Sequence, residues 1–316
     1  MIKMDAKLIC FFQVAVLVCF ISSVARANDT ATEITPAGLI FKTIDSVSIE
    51  KEDLKISREK IEVFYAFRNN SDKDIVTDVA FPIPNYDYVE MNVTANPAFE
   101  DFTVFADGVR IQYEVVARAL LNGKDYTELL AKKGITIHNF GGSQASILNK
   151  IGQDKDNFMR LGLIEADGQP NWTVSKSYVW RQKFPKNSIV KITHSYTPCY
   201  GFDQFYSNPG YLEALPVFVR NSCVAGKEAA TIMNGYTNKN RLVRDTVTYI
   251  LKTANNWKKS IKEFKIQIEK KSDEFIGICF DGKANAVSPL RFEATLMNYS
   301  PSSDLEVHWI RKLTDK

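Results

Sequence analysis

The feature that most constrains this chain is a rhythm of short alternating apolar segments, each closed by turn-forming residues. Ile61-Glu62-Val63-Phe64-Tyr65-Ala66-Phe67 has the two-residue period of a strand with one buried face. Asn69-Asn70-Ser71-Asp72 closes it, because these short polar side chains bond their own backbone in turns. Ile75 to Phe81 predicts a second strand, and Pro82 and Pro84 end it by removing ladder donors. Phe102 to Phe105 and Val109 to Val116 flank Asp107-Gly108, a hairpin signal since Gly takes the positive φ of the turn. The pattern returns at Tyr178 to Phe184, Ile189 to Tyr196 and Thr246 to Lys252. It continues at Phe264 to Glu269, Phe275 to Phe280, Leu290 to Leu296 and Leu305 to Ile310. So many short strands predict a mainly β fold with sandwich-like sheets.

The rhythm breaks between about 120 and 170. Asp125 to Lys133 predicts a helix stopped by Gly134, and Ala145 to Ile151 and Phe158 to Ile164 predict two more. This stretch is expected to be a helical insertion between strands. Residues 222–236 predict a further helix, so the C-terminal part should be β-rich with one or two helices. The expected organisation is a leader at 1–27, a β-rich part at 28–205 carrying the insertion, and an α+β part at 206–316 packed on the first.

The leader is read from charge and hydropathy. Lys3 and Lys7 precede an apolar run from Leu8 to Ile21, and Ala25-Arg26-Ala27 supplies the small-x-small cleavage pattern. Cleavage is expected between Ala27 and Asn28. The alternative is an uncleaved anchor, but the run falls short of the roughly 20 residues a span needs. No later run is long enough, so no transmembrane anchor is expected after cleavage, and the compartment is periplasmic or secreted. Losing Lys3, Lys7, Arg26 and Asp5 takes the formal charge from +3 to +1. A near-neutral body with scattered charges gives no reason to expect nucleic acid as a partner. Of five cysteines, Cys199, Cys223 and Cys279 remain. In an oxidising compartment these suggest one disulfide and one spare thiol, the alternative being three buried thiols.

Several phrases carry a resemblance when taken in order. They are Glu52-Asp53-Leu54-Lys55-Ile56-Ser57, Asn70-Ser71-Asp72-Lys73-Asp74 and Ala80-Phe81-Pro82-Ile83-Pro84. Trp180-Arg181-Gln182-Lys183-Phe184-Pro185, His194-Ser195-Tyr196-Thr197-Pro198 and Tyr249-Ile250-Leu251-Lys252-Thr253 follow. Together they resemble the exported bacterial family called domain of unknown function 4424, over almost the whole mature chain. The resemblance implies compartment and class, and brings no activity. It also implies a disulfide between Cys223 and Cys279, with Cys199 as the spare.

No local catalytic signature stands out. H-E-x-x-H, G-x-S-x-G and the P-loop pattern are missing from the sequence. Asp154-Lys155-Asp156-Asn157 lacks the glycine and terminal glutamate of a calcium loop, and reads as a solvated loop. No metal or cofactor is expected. The most informative cluster is a hairpin expected at 178–196 with its turn at Lys186 to Ser188. In that register Trp180 faces His194, Gln182 faces Ile192 and Tyr178 faces Tyr196, all on one side. The functional reading is a small pocket in which Trp180 and Tyr196 stack a ligand while Gln182 and His194 hydrogen-bond it. The preferred reading is structural, with the rings in a core and the polar groups satisfying it.

The leading expectation is an exported, non-enzymatic envelope protein that binds a protein or a small molecule. One alternative is an exported hydrolase whose site is assembled from residues distant in sequence, with His194 or His138 beside carboxylates. Another is a carbohydrate-binding module using Trp172, Trp257 or exposed tyrosines as platforms.

Overall fold

The computed structural model describes residues 30–35, 38–87, 101–135, 137, 144–198, 200–205, 214–236 and 240–314. The leader and the expected cleavage at Ala27–Asn28 lie outside these residues, as do His138 and Cys199.

The fold is mainly β. It opens with β1 (Thr30–Thr35), β2 (Gly38–Lys42), β3 (Val47–Ile56), β4 (Ile61–Asn69), β5 (Ile75–Pro82) and β6 (Tyr86–Asp87). Next come β7 (Thr103–Ala106), β8 (Val109–Arg110), β9 (Glu114–Leu121) and β10 (Lys124–Asp125). The helical segment holds α1 (Thr127–Lys132), α2 (Gln144–Ile151) and α3 (Lys155–Arg160). Strands β11 (Thr173–Phe184), β12 (Ile189–Tyr196) and β13 (Gly201–Phe205) lead to helices α4 (Leu215–Asn221) and α5 (Gly226–Gly235). The chain ends with β14 (Asn240–Tyr249), β15 (Ile261–Glu269), β16 (Glu274–Cys279), β17 (Asn285–Ser288), β18 (Arg291–Tyr299) and β19 (Leu305–Thr314).

These strands form three sheets. The first runs β10-β9-β11-β5-β1-β2, with β6 beside the start of β11. The second runs β17-β18-β15-β3-β4-β12-β7-β8, and the third β13-β14-β19-β16. The first two face each other across an aromatic core. Phe67 meets Phe184 at 5.7 Å and Phe81 meets His194 at 4.9 Å between ring centroids. Edge-to-face pairs like these add to the hydrophobic gain of burying the rings.

The expected hairpin at 178–196 is not a hairpin. β11 pairs with β5 and β9 in the first sheet, whereas β12 pairs with β4 and β7 in the second. Residues 185–188 therefore carry the chain from the first sheet to the second, beside residues 70–74, which cross the other way. Buried Asn69 pins the corner, donating from Nδ2 to Phe184 O at 2.9 Å and to Lys73 O at 2.8 Å. The physical reason is that both strands carry bulky rings on one face. Those faces bury more when set opposite each other in a sandwich than when side by side in one sheet.

Asp107-Gly108 does make the tight turn of a hairpin, with φ of 49° and 81° and Ala106 opposite Val109. The strand expected to follow is split: β8 stays in the second sheet and β9 joins the first. Asp154 to Asn157 is helical, not a loop. The helical segment buries Leu130, Ile147, Ile151 and Phe158 with Trp172, Val174 and Ala119, forming a second core along β9 and the start of β11.

The third sheet uses its two faces differently. Val247, Tyr249, Val307, Trp309 and Ile276 join the sandwich core. On the other face, Leu242 and Ile310 pack under α4 and α5 with Leu215, Val219 and Ile232. Strand alternation then puts Arg244, Thr246 and Thr248 of β14 beside Ile310, His308 and Glu306 of β19 on that same outer face.

Candidate functional site

The helices cover only one end of this polar face. They are held there by the Cys223–Cys279 disulfide, whose Cα atoms are 5.5 Å apart, within the usual range. They also approach closely at Gly277, where a Cβ would lie 1.6 Å from Ser222 O. The uncovered end is the floor of a cleft of about 510 Å³. Its walls come from the first sheet's exit loop (Pro84, Asn85, Tyr86) and from the link after β12 (Pro198, Tyr200). Pro82 and Pro84 stop β5 as expected, and Tyr86 then pairs opposite Val174, which aims this segment along the cleft.

Thr246, His308, Arg244 and Glu306 on the floor are each held by a neighbour. Thr246 Oγ1 lies 2.9 Å from His308 Nδ1. Nε2 of His308 lies 3.4 Å from Cys279 Sγ and 3.6 Å from Glu306 Oε2. A disulfide sulfur and a carboxylate can only accept, so Nε2 carries the proton and Nδ1 accepts from the Thr246 hydroxyl. Burial and the Arg244 charge push the His308 pKa down to about 4, against the pull of Asp203. The imidazole is therefore neutral at pH 7. Arg244 donates through Nε to Asp203 Oδ2 at 3.0 Å and through Nη1 to Ser222 Oγ at 3.0 Å, and stacks over Phe218. Cys279, Glu306 and His308 each offer one ligand atom, all within 4.8 Å of one another.

The sequence-selected residues sit elsewhere. Trp180 and His194 do meet, edge to face at 5.3 Å, but across the sandwich and not along a ladder. Trp180 Nε1 donates to Gln182 Oε1 at 3.3 Å, and Gln182 Nε2 donates to Lys183 O at 2.7 Å. Trp180, Gln182, His194 and Tyr196 are all buried. Among these four, Tyr196 alone borders the cleft, and burial pushes its phenol pKa up. Trp172 and Trp257 are buried too, so neither provides a carbohydrate platform.

Sequence reasoning missed Arg244, Thr246, Thr248, Glu306 and His308. A signal was present. Both strands alternate polar with apolar residues: Val243, Val247 and Tyr249 interleave with the first set, Val307 and Trp309 with the second. Two neighbouring strands with polar outer faces mark a floor that something must cover or fill.

A family model described as domain of unknown function (DUF4424) matches residues 27–308. No curated protein matches. Among solved structures, a candidate nutrient binding protein from Legionella pneumophila is 12% identical with a TM-score of 0.43, over 90% of this chain and 70% of that one. An M1 zinc metallopeptidase from Deinococcus radiodurans is 10% identical with a TM-score of 0.28, over 84% of this chain and 43% of that one. Native yeast LTA4 hydrolase is 9% identical with a TM-score of 0.28, over 84% and 29%. The chain spans less than half the length of these two enzymes. At such scores the likenesses carry no argument about what the chain does.

Proposed function

The chain belongs to the family described as domain of unknown function (DUF4424), and from that premise we propose that it is an exported envelope protein that binds a small polar molecule in the cleft above the third sheet. The observation that carries this reading is the cleft itself. Its volume of about 510 Å³ falls within the range of small-molecule sites. Tyr86 and Tyr200 offer rings at its walls, and Asn85, Thr246 and Thr248 offer directional hydrogen bonds. Arg244 is already paired with Asp203 and His308 is neutral. A ligand with hydroxyl or amide groups and one flat apolar face fits such a lining better than a strong anion.

Export is supported by the leader expected at 1–27 and by the disulfide. No helix among the described residues is long and apolar enough to cross a membrane.

The test is a thermal-shift screen of monosaccharides, amino acids and nucleosides, followed by calorimetry on any compound that stabilises. A ligand at one hundred times its Kd should add about 2.7 kcal/mol. Tyr200→Ala and Thr248→Val should each weaken it at least tenfold. The reading fails if nothing binds at millimolar concentration, or if binding ignores both substitutions.

A second reading, an exported hydrolase, draws on one specific arrangement. The Thr246 hydroxyl, His308 and Glu306 stand in the order nucleophile, base and orienting carboxylate. It ranks second because an imidazole with a pKa near 4 is a feeble base at pH 7. Turnover of activated esters that disappears in Thr246→Ala would reverse the order.

A further inference from the structure

We propose that Cys279, His308 and Glu306 form a zinc site that the Cys223–Cys279 disulfide masks and that reduction by a dithiol opens. The geometry comes first. In a tetrahedral zinc site with Zn–S of about 2.3 Å and Zn–N or Zn–O of about 2.0–2.1 Å, neighbouring ligand atoms stand about 3.3–3.6 Å apart. Sγ of Cys279 is 3.4 Å from His308 Nε2, and His308 Nε2 is 3.6 Å from Glu306 Oε2. Two edges of such a site are therefore in place, and all three ligand atoms lie within 4.8 Å of one another. Their chemistry fits as well, since thiolate, imidazole and carboxylate are all zinc donors.

What prevents binding in the oxidised state is the sulfur. A disulfide sulfur has no thiolate charge, which leaves only one imidazole and one exposed carboxylate. Exchange with a dithiol turns the Cys223–Cys279 bond into two thiols while the dithiol becomes a disulfide, so electrons and protons balance. Cys223 is exposed, so an attacking thiolate can reach the bond. Zinc then binds the Cys279 thiolate, and the thiol proton leaves to solvent.

The surroundings are arranged for this. His308 would give up its Nε2 proton to bind through that atom and carry one on Nδ1. The Thr246 hydroxyl, 2.9 Å away, can turn from donor to acceptor and hold that tautomer. Arg244 is the cation that acts on His308, and its pairing with Asp203 offsets that charge. Glu306 and His308 both line the cleft, so a fourth, non-protein ligand can reach the metal from there. The site would couple the redox state of the disulfide to whatever occupies the cleft.

The experiment uses the full chain with cobalt(II) as a spectroscopic stand-in for zinc. Oxidised protein should show no thiolate-to-cobalt absorption with one equivalent of metal. Protein reduced and desalted under argon should show that near-UV band together with the visible bands of tetrahedral cobalt. Cys223→Ser should show them without reduction, which guards against reduced protein unfolding. Cys279→Ser should abolish them, which excludes other thiols. His308→Gln and the exposed Glu306→Gln should each weaken cobalt binding at least tenfold. The proposal is overturned if the reduced chain gives no band, or if oxidised protein gives the same band. It is equally overturned if affinity is unchanged in both His308→Gln and Glu306→Gln, since the two cysteines would then bind metal alone.

Discussion

His308 ties pH to stability through one side chain. Its ordinary pKa of 6.5 is depressed to about 4 in the fold, chiefly by burial, with Arg244 adding to the effect and Asp203 opposing it. Between those values the unfolded chain binds a proton that the folded chain refuses. Stability is therefore intact above about pH 6.5 and is lost as pH falls towards 4. From pH 7 to pH 5 the loss should be on the order of 1–2 kcal/mol, since one pKa unit corresponds to about 1.4 kcal/mol. Urea midpoints at the two pH values, for wild type and His308→Gln, test this. The variant should lose visibly less between them; equal losses would mean the imidazole is not held neutral. At this scale the sequence was half legible. Alternation gave the inward face of Trp180, Gln182, His194 and Tyr196, and their burial follows from it. It did not say which sheet each strand would join, because parity fixes a face and not a neighbour. Trp180 and His194 still meet because both point into the same space at similar distances from the corner at 185–188.

Among the elements, the least visible strand is a central one. Val47–Ile56 pairs with β4 on one side and, in parallel, with β15 on the other. Glu50, Lys51, Glu52 and Asp53 interrupt its apolar residues, and a register shift between Ile49 and Lys51 breaks the alternation. A bulge inserts one residue, so the two-residue period fails just where it would be read. Helix α4 was also not foreseen: Leu215–Asn221 is seven residues long, and only Leu215 and Val219 of it are buried. How the helix pair sits on the third sheet depends on Gly277. An added Cβ there would lie 1.6 Å from Ser222 O and 2.8 Å from Ser222 C, both backbone atoms that cannot turn aside. Gly277→Ala should therefore lift the turn that carries Cys223. A destabilisation of about 1–3 kcal/mol is expected, as for other overpacked sites, with faster reduction of the disulfide by dithiothreitol. Gly201→Ala, on β13 at the opposite edge of the same sheet, meets nothing nearer than 3.9 Å and serves as the control, with stability within about 0.5 kcal/mol of wild type. If the two variants behave alike, close packing at Gly277 is not what seats the helices.

Across the whole molecule, the third sheet is joined to the second by buried charge as well as by the shared apolar core. Arg58, in the turn between β3 and β4, reaches Asp245 Oδ2 at 2.9 Å and Glu274 Oε1 at 3.1 Å. Arg311 of β19 reaches the same Asp245 oxygen at 2.9 Å. The Asp245 side chain is fully buried and that of Glu274 is 2% exposed, so both carboxylates have left water and rely on these guanidinium groups. Such a network adds little net stability compared with an apolar replacement of the whole set, because desolvation offsets most of the attraction. Removing one partner is different, since it strands a buried charge. Arg58→Met keeps most of the side-chain volume and deletes the cation. It should cost about 3–5 kcal/mol in urea unfolding at pH 7. Part of that loss should return in Arg58→Met combined with Asp245→Asn, because the double variant no longer buries as much uncompensated negative charge. A loss below about 1 kcal/mol, or a double variant no better than the single, would mean that the apolar core alone holds the sheets together. The network also bears on the cleft. Asp245 lies on β14 between Arg244 and Thr246 and faces the opposite side, so the ion pairs anchor the back of the same strand whose front forms the cleft floor. Arg58→Met should then weaken any cleft ligand even though Arg58 lies outside the cleft lining, whereas Lys262→Ala, which breaks an exposed pair with Glu50 on the second sheet, should not.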